Sequence, residues 1–190
     1  TTIFSDVVLP ARARAKVADI ERRIAHRERV VHTWGFGRHH DNVGGLLALL
    51  HGPPGTGKSM TAAAIAASAG LTAYVIDLSA LVSKYIGETE KALAAVFERA
   101  ERERCILVFD EADAIFGQRT EVSDAHDRYA NQEVSYLLSR IETHQGVVIL
   151  TTNLLGNIGP AFQRRIHVMV EFPAPGTPER EQLWRRALPP

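Results

Sequence analysis

Several features are scarce or missing in this chain, and each absence excludes a class of protein. Among 190 residues there is a single cysteine, Cys105, so no internal disulfide can form and a reducing, cytoplasmic compartment is expected. No apolar run reaches the roughly 18 residues of a membrane-spanning helix. The 22 basic and 22 acidic side chains cancel, and this neutral balance argues against nucleic acid or an anionic membrane as a partner.

The length and the apolar fraction of 45% are those of one ordinary globular domain. The sequence does not begin with methionine and stops after Leu188, Pro189 and Pro190, from which we expect a piece of a longer protein. Residues 1 to about 33 predict an extended segment and then a helix, because Pro10 suits a helix start and apolar residues recur at helical spacing after it. We therefore predict a single domain over residues 1–190.

One loop, shortly after the apolar run Leu46–Leu50, organises the chain. It matches the pattern G-x-x-x-x-G-K-[ST] and precedes an alanine-rich stretch of high helix propensity; its glycine spacing does not fit a Rossmann dinucleotide loop. In a strand, loop and helix of this kind, backbone N–H groups converge on a polyphosphate. Lys58 brings a positive charge to the β- and γ-phosphates, and the Ser59 hydroxyl is a ligand for Mg²⁺. We predict a nucleoside triphosphate site formed by Gly52, Pro53, Pro54, Gly55, Thr56, Gly57, Lys58, Ser59 and Met60.

Strand and helix patterns alternate along the rest of the chain. The predicted strands are residues 46–50, 72–78, 105–111, 147–152 and 166–172. The predicted helices are residues 10–33, 60–67, 89–102, about 134–141, 160–164 and a last one that runs through Trp184. This alternation predicts an α/β fold, a parallel sheet with helices on both faces as in P-loop NTPases.

Polar side chains stand at the ends of two of these strands. Asp110 and Glu111 close the apolar run that starts at Cys105, and Asn153 follows the strand 147–152. Because ligands of such sheets bind beyond the carboxyl ends of the strands, we interpret Asp110 as a Mg²⁺ ligand, directly or through water. Glu111 is then the general base that activates the attacking water. Asn153 can hydrogen-bond the γ-phosphate and that water, and an asparagine that only closes a turn is the open alternative.

In order and spacing, four segments resemble the core of AAA+ ATPases, namely Gly52–Ser59, Phe109–Asp113, Thr151–Asn153 and Ala161–Arg165. The resemblance covers nearly the whole chain and implies an AAA+ large subdomain that binds ATP with Mg²⁺ and leaves ADP as product. It makes Asn153 the sensor residue. It also makes Arg164 and Arg165 arginine fingers that reach the nucleotide of a neighbouring subunit in a homo-oligomeric ring, a hexamer for the full-length protein. Charge alone favours a solvated basic turn for both arginines, so the finger interpretation rests on the resemblance.

The double arginine and the segment Lys84–Glu90 resemble the katanin and spastin branch of this family. In that branch the aromatic residue of this loop faces the central pore and grips a threaded polypeptide. Tyr85, with Lys84 and Ile86 beside it, would be the gripping residue, and a half-buried loop aromatic is the open alternative. Trp34–Phe36 and Asp124–Asn131 also resemble bacterial AAA+ proteins encoded with phage-tail-like contractile injection systems.

The chain departs from the family pattern in its missing helical lid, which carries a further nucleotide-sensing arginine, and in Ile166, where phenylalanine is usual. No Asn-Lys-x-Asp guanine motif occurs, which favours adenine. We predict the Mg²⁺-dependent, ATP-hydrolysing core of an oligomeric protein-remodelling or polypeptide-threading ATPase. The alternatives are a nucleotide-gated assembly switch or scaffold that threads no substrate, and a DNA-dependent motor, against which the neutral charge argues.

Overall fold

The computed structural model describes residues 6–35, 45–80, 89–116 and 135–188. Their strands form one sheet and are β1 (Leu46–His51), β2 (Ala73–Asp77), β3 (Ile106–Asp110), β4 (Val147–Thr152) and β5 (Val168–Glu171). The strands are ordered β2-β3-β4-β1-β5, and each neighbouring pair is parallel. The predicted parallel α/β fold is therefore confirmed.

The central strands are buried on both faces, which is why their sequences are continuous apolar runs without polar alternation. In β1, Leu47 and Leu49 pack into one hydrophobic cluster, whereas Ala48 and Leu50 pack into another on the opposite face. Successive side chains of a strand point to opposite faces, so each cluster receives every second residue. The sheet thus separates two cores, each closed by its own helices.

The helices are α1 (Ala11–Glu28), α2 (Lys58–Ser68), α3 (Thr89–Glu103), α4 (Asp113–Phe116), α5 (135–143), α6 (Pro160–Gln163) and α7 (Thr177–Ala187). Helices α1 and α2 cover one face, where Val17 and Ile20 of α1 are fully buried. Helices α3 to α6 contribute to the other core, around Phe97 of α3. Helix α7, described over its full length, buries none of its residues. Within the described ranges, no helix has both the length and the apolar character needed to cross a bilayer.

Several element bounds differ from the predicted ones, and three of these differences have clear local reasons. Strand β2 ends at Asp77 because the Asp77 carboxylate accepts hydrogen bonds from Ser79 Oγ (2.6 Å) and the Ala80 N–H (3.0 Å), which start a helical turn. Strand β5 begins only at Val168, since the Ile166 N–H still bonds to the carbonyl of Gln163 (3.2 Å). Helix α1 continues as a π-helical turn over Arg29–Thr33. Helix α4 is too short to show a periodic pattern in the sequence, and it was not predicted.

Candidate nucleotide site

The site lies where three neighbouring strands, β3, β4 and β1, reach their carboxyl ends. The glycine loop follows β1, Glu111 follows β3 and Asn153 follows β4. The register aligns His51 with Thr152 across β1 and β4, so the loop and Asn153 leave the sheet side by side. The chain connection passes from β1 over β4 and β3 to β2, so this edge is the crevice in which open α/β sheets bind ligands.

The loop conformation requires glycine at its two ends. Gly52 has φ 146°, and a Cβ at this position would clash with the backbone carbonyl oxygen of Phe172. The Gly52 N–H donates to the carbonyl of Thr152 (3.2 Å), which ties the loop to the end of β4. Gly57, at the N-cap of α2, has φ 89° and lies in the left-handed region, which favours glycine. No described atom comes within 4 Å of the place where its Cβ would stand, so this side of the loop is open to a ligand.

Lys58 is the first residue of α2, and its side chain folds back over the loop instead of pointing into solvent. The residue is only 7% exposed, and its ammonium donates to the carbonyls of Gly52 and Pro53 and to Asn153 Oδ1, each at 2.8 Å. Burial lowers the pKa of Lys58, while the charges of Asp110 and Asp113 act in the opposite direction. A desolvated cation that faces neutral oxygens is well suited to exchange them for a phosphate.

The Ser59 hydroxyl donates to Asp110 Oδ2 at 2.8 Å, which joins the start of α2 to the end of β3. The other carboxylate oxygen of Asp110 accepts a short hydrogen bond from the Thr151 hydroxyl. No role was predicted for Thr151, although a hydroxyl at the end of an apolar strand is a sequence signal that could have indicated one. Together these contacts hold the Asp110 carboxylate in one orientation beside Ser59.

Glu111 has an unusual backbone, because its φ of 56° places a non-glycine residue in the left-handed region. Its N–H donates to Asp110 Oδ1 (3.2 Å) and to Thr151 Oγ1 (3.3 Å), so the strand ends there, and the Glu111 side chain is exposed. Strained non-glycine residues of this kind concentrate at functional sites. The arrangement makes the Glu111 carboxylate accessible to a water molecule.

Asp113 is a second residue whose contacts the sequence analysis did not predict. Its Oδ1 atom accepts the hydroxyl of Thr152 and the N–H of Asn153, each at 3.1 Å. Since Asn153 Oδ1 in turn accepts from Lys58, Asp113 fixes the segment that reaches the lysine. The sequence signal for this role is an acid three residues after Asp110. This acid is the first residue of the short helix α4, beside the carboxyl ends of β3 and β4.

The residues of this edge fit a magnesium nucleotide. The open side of the loop at Gly57 leaves room for phosphates, and the first turn of α2 presents N–H groups that have no partner within the helix. The Ser59 hydroxyl and the Asp110 carboxylate are hard oxygen donors, which Mg²⁺ prefers, and they are already adjacent. In the described part of the chain no cluster of three or more histidine, cysteine or acidic side chains could hold a metal by itself, so the ion would arrive together with the nucleotide phosphates.

The two predicted finger arginines lie at the opposite edge of the sheet. They follow α6 and precede β5, and the backbone of His167 donates to the carbonyl of Leu47 at the start of β1 (2.9 Å). From Leu47 to Gly52 the strand advances by about 16 Å. Both arginines are exposed, and Arg165 forms an ion pair with Glu142 of α5. Neither arginine is brought to the glycine loop of its own chain.

The remaining predicted site residues fall outside the described ranges. These are Lys84, Tyr85 and Ile86, which the sequence analysis assigned to a substrate-gripping loop. The segment 124–131 also falls there, and Trp34 and Gly35 are the described part of the other segment that suggested the injection-system proteins. Their predicted roles therefore stay predictions.

A parallel sheet with a glycine loop, a buried lysine and a serine–aspartate pair at one edge defines a P-loop nucleotide-binding domain. A family model narrows this class: the one described as "ATPase family associated with various cellular activities (AAA)" matches residues 48–174. The chain belongs to the AAA family of ATPases, as the resemblance of its motifs implied.

Curated relatives agree with this family. Residue identity is 35% over 144 residues with the 26S proteasome subunit RPT4 of Saccharomyces cerevisiae, covering 72% of this chain and 33% of that protein. The identity is 38% over 144 residues with the ATPase family gene 2 protein of Schizosaccharomyces pombe, covering 74% of this chain and 18% of that protein. The identity is 35% over 140 residues with the ATPase-like fidgetin of Schizosaccharomyces pombe, covering 67% of this chain and 21% of that protein. The chain thus spans a third or less of these relatives.

A solved structure supports the fold. The crystal structure of the FIGL-1 AAA domain in complex with ADP superposes with a TM-score of 0.69, covering 94% of this chain and 58% of that one. At 24% identity this likeness concerns the fold alone. The ATPase class and the AAA core predicted from the sequence are therefore confirmed, and the finer branch of the family is not decided by these relatives.

Proposed function

We propose that this chain is the ATP-binding and ATP-hydrolysing core of an oligomeric protein-remodelling ATPase. The observation that carries the proposal is the 2.8 Å hydrogen bond between Ser59 Oγ and Asp110 Oδ2. It brings together, from two distant segments, the hydroxyl and the carboxylate that hold Mg²⁺ in P-loop NTPases. The family membership supports the same nucleotide chemistry.

Nucleotide binding falls to the loop and the start of α2. The open face of the loop and the first-turn N–H groups of α2 receive the phosphates, and Lys58 exchanges its contacts with Gly52, Pro53 and Asn153 for phosphate oxygens. Once Lys58 has moved to the phosphates, the Asn153 amide is released to hydrogen-bond the γ-phosphate or the attacking water. In this proposal Asn153 thus changes partner when ATP binds.

For hydrolysis, Mg²⁺ held by Ser59 and Asp110 would neutralise charge on the β- and γ-phosphate oxygens. Glu111, exposed beside this pair on its strained backbone, takes the proton of the attacking water. The Thr151 hydroxyl keeps the Asp110 carboxylate turned toward Ser59. Phosphoryl transfer of this kind depends mainly on positioning and charge stabilisation, to which the rigid ends of β3 and β4 are suited.

The site is completed by a second subunit. Arg164 and Arg165 lie at the amino end of the sheet, about 16 Å along β1 from their own loop, so an arginine from this turn acts on the nucleotide of a neighbour. An arginine supplied in trans is worth roughly 10³–10⁵ in rate. This supports a homo-oligomeric ring, which we propose to be a hexamer of the full-length protein.

A polypeptide is the proposed substrate. Several relatives are named for the proteasome, including the 26S proteasome subunit RPT4 and the proteasome-activating nucleotidase of Sulfurisphaera tokodaii. The predicted gripping residue Tyr85 fits this class of substrate, and the double arginine supports the katanin and spastin branch. The cytoplasm stays the proposed compartment, on the single, buried Cys105.

The test of this proposal is Glu111→Gln in the full-length protein. The variant should bind magnesium–ATP with unchanged affinity and lose about 10²–10⁴-fold in turnover, the usual worth of a positioned base. Glu103→Gln, which removes an exposed carboxylate at the end of α3, is the matched control and should hydrolyse ATP at the wild-type rate. Turnover by Glu111→Gln within a few-fold of wild type would show that Glu111 is not the base.

A mixing experiment tests the second subunit. Arg164→Ala and Glu111→Gln should each be inactive, whereas mixed oligomers should regain activity because some interfaces pair an intact Glu111 with an intact arginine. No recovery in oligomers whose mixing is verified by native mass spectrometry would show that Arg164 does not act across an interface.

A further inference from the structure

The two adjacent arginines have different environments. Arg165 pairs with Glu142 of α5, and the two side chains are 56% and 27% exposed. Arg164, one residue earlier, is exposed as well, but it has no ion pair with any described residue. A pair of equivalent fingers would present both guanidinium groups in the same way. The difference suggests that the two arginines have separate tasks.

The turn that carries both arginines is anchored on either side. At its start, the Arg165 N–H donates to the carbonyl of Phe162 (2.9 Å), which extends the last turn of α6. At its end, His167 exchanges two hydrogen bonds with Leu47, because its N–H donates to the Leu47 carbonyl and its Nδ1 accepts the Leu47 N–H, each at 2.9 Å. The backbone direction is therefore set, and the arginine side chains are left to be oriented by their own contacts.

Glu142 is itself firmly placed. It lies on α5 between Ile141, which is 3% exposed in the core, and His144, which is 5% exposed just after the helix. The side chains of Glu142 and Arg165 meet beside a cavity of about 360 Å³ that Gly45 and Val148 also line, at the amino end of the sheet. With a side chain 27% exposed, on a helix whose neighbouring residues lie in the core, Glu142 is the more buried partner and offers a fixed acceptor to the more exposed Arg165.

We propose that Glu142 is a positioning residue: it holds Arg165 inside its own subunit, and this anchor directs Arg164 alone to the nucleotide of the neighbour. The inference rests on the proposed function, since it assigns different roles to the two arginines of the turn that acts on the neighbouring subunit. Arg164 is then the catalytic arginine. Arg165 and Glu142 act only through the orientation of Arg164, and any pair of opposite charges at their positions would serve.

The experiment is a charge exchange in the full-length protein, with kcat and KM for ATP measured separately. Glu142→Ala and Arg165→Ala should each lower kcat by about 10²-fold, the effect of displacing a reacting group by about 1 Å, with KM unchanged because the glycine loop is intact. The double variant Glu142→Arg with Arg165→Glu should recover most of the lost kcat. Glu181→Gln, which breaks an exposed pair with Arg185 on α7, is the matched control and should have no effect.

Conservative variants give an independent measurement should the exchanged pair fold poorly. Arg165→Lys keeps a cation opposite Glu142 and should retain kcat within a few-fold, whereas Arg164→Lys should lose it, because a planar fork of donors is needed at the phosphate. Equal losses in the two lysine variants would overturn the inference. So would a folded, assembled charge-exchange protein as inactive as Arg165→Ala.

The activities of Arg164→Ala and Glu142→Ala distinguish a failure of this inference from a failure of the proposed function. If Arg164→Ala hydrolyses ATP as fast as wild type, the trans-acting arginine of the proposed function is wrong, and the assignment of Glu142 falls with it. If Arg164→Ala is inactive and is complemented by Glu111→Gln, but Glu142→Ala matches wild type, the proposed function stands and only the role of Glu142 is refuted.

Discussion

Substitutions of Asp113 can distinguish a structural role, in which the carboxylate holds the end of β4 in place, from a role in proton transfer. Its Oδ1 atom accepts two hydrogen bonds, from Thr152 Oγ1 and from the Asn153 N–H, each at 3.1 Å. Thr152 is fully buried, and the Asn153 side chain accepts a hydrogen bond from the Lys58 ammonium. Two substitutions probe this arrangement. Asp113→Ala removes the acceptor, whereas Asp113→Asn retains an acceptor oxygen of the same shape and removes the charge.

The two substitutions should differ in their effect on the free energy of unfolding. Asp113→Ala leaves the Thr152 hydroxyl and the Asn153 N–H unpaired, at about 1–3 kcal/mol each, and we expect a total loss of about 2–4 kcal/mol. Asp113→Asn converts two charge-assisted hydrogen bonds to neutral ones, roughly half as strong, and we expect a loss of about 1 kcal/mol. If Asp113 were instead the general base, Asp113→Asn would reduce turnover by about 10²–10⁴-fold.

Urea denaturation of this chain measures the first effect, and steady-state hydrolysis by the full-length protein measures the second. Asp77 provides a matched control, since its carboxylate also accepts one serine hydroxyl and one backbone N–H, but at an exposed position. Asp77→Ala should therefore destabilise the chain less than Asp113→Ala does. Asp113→Ala within about 0.5 kcal/mol of wild type, or Asp113→Asn as inactive as Glu111→Gln, would refute the anchoring role.

Three further predictions follow from the site and the core. Lys58→Ala should abolish ATP binding in a calorimetric titration, because it removes the buried ammonium that contacts the loop, and unchanged affinity would contradict the assignment. Tyr85→Ala in the full-length protein should leave basal hydrolysis intact and end substrate remodelling; unimpaired remodelling would favour a switch or scaffold. Burial lowers the pKa of His144, with Glu101 opposing, so the unfolded chain binds the proton more readily and stability should fall as the pH drops below about 6.5. His144→Gln should flatten this slope, at most about 1.4 kcal/mol per pH unit, in denaturation curves between about pH 5 and 7.

The sequence predicted those features that arise from local pattern. Continuous apolar runs predict strands buried on both faces. The glycine motif between such a run and an alanine-rich helix predicts the strand, loop and helix that bind a phosphate. The two acids at the end of β3 and the asparagine after β4 could be placed at one edge because parallel strands end together. For these reasons the fold class was predicted correctly. Lys58 contacts Asn153 and Ser59 contacts Asp110 at this edge, and the roles assigned to these residues stay predictions.

The contacts that could not be predicted depend on distances in space between residues far apart in sequence. Glu142 and Arg165 are separated by 23 positions, and nothing in either segment indicates that they pair. Asp113 could be read as a spare acid near the base, and only the register of β3 against β4 makes it an acceptor for Asn153. Side-chain partners at a site are set by tertiary packing, on which sequence periodicity carries no information.

The parallel sheet supplies a geometric reason for the second subunit in the proposed function. Every strand runs in the same direction, so all residues that follow strands gather at one edge and all residues that precede strands gather at the other. The loop, Glu111 and Asn153 belong to the first group, and Arg164 and Arg165 to the second. Because the length of β1 separates the two groups within one copy, the proposed function requires two copies to associate before both groups can act on one nucleotide. Hydrolysis by the full-length protein should therefore rise more than linearly with protein concentration, because association creates complete sites. A strictly linear dependence across the range in which sedimentation shows assembly would mean that each copy hydrolyses ATP alone, and that the arginine turn has another use.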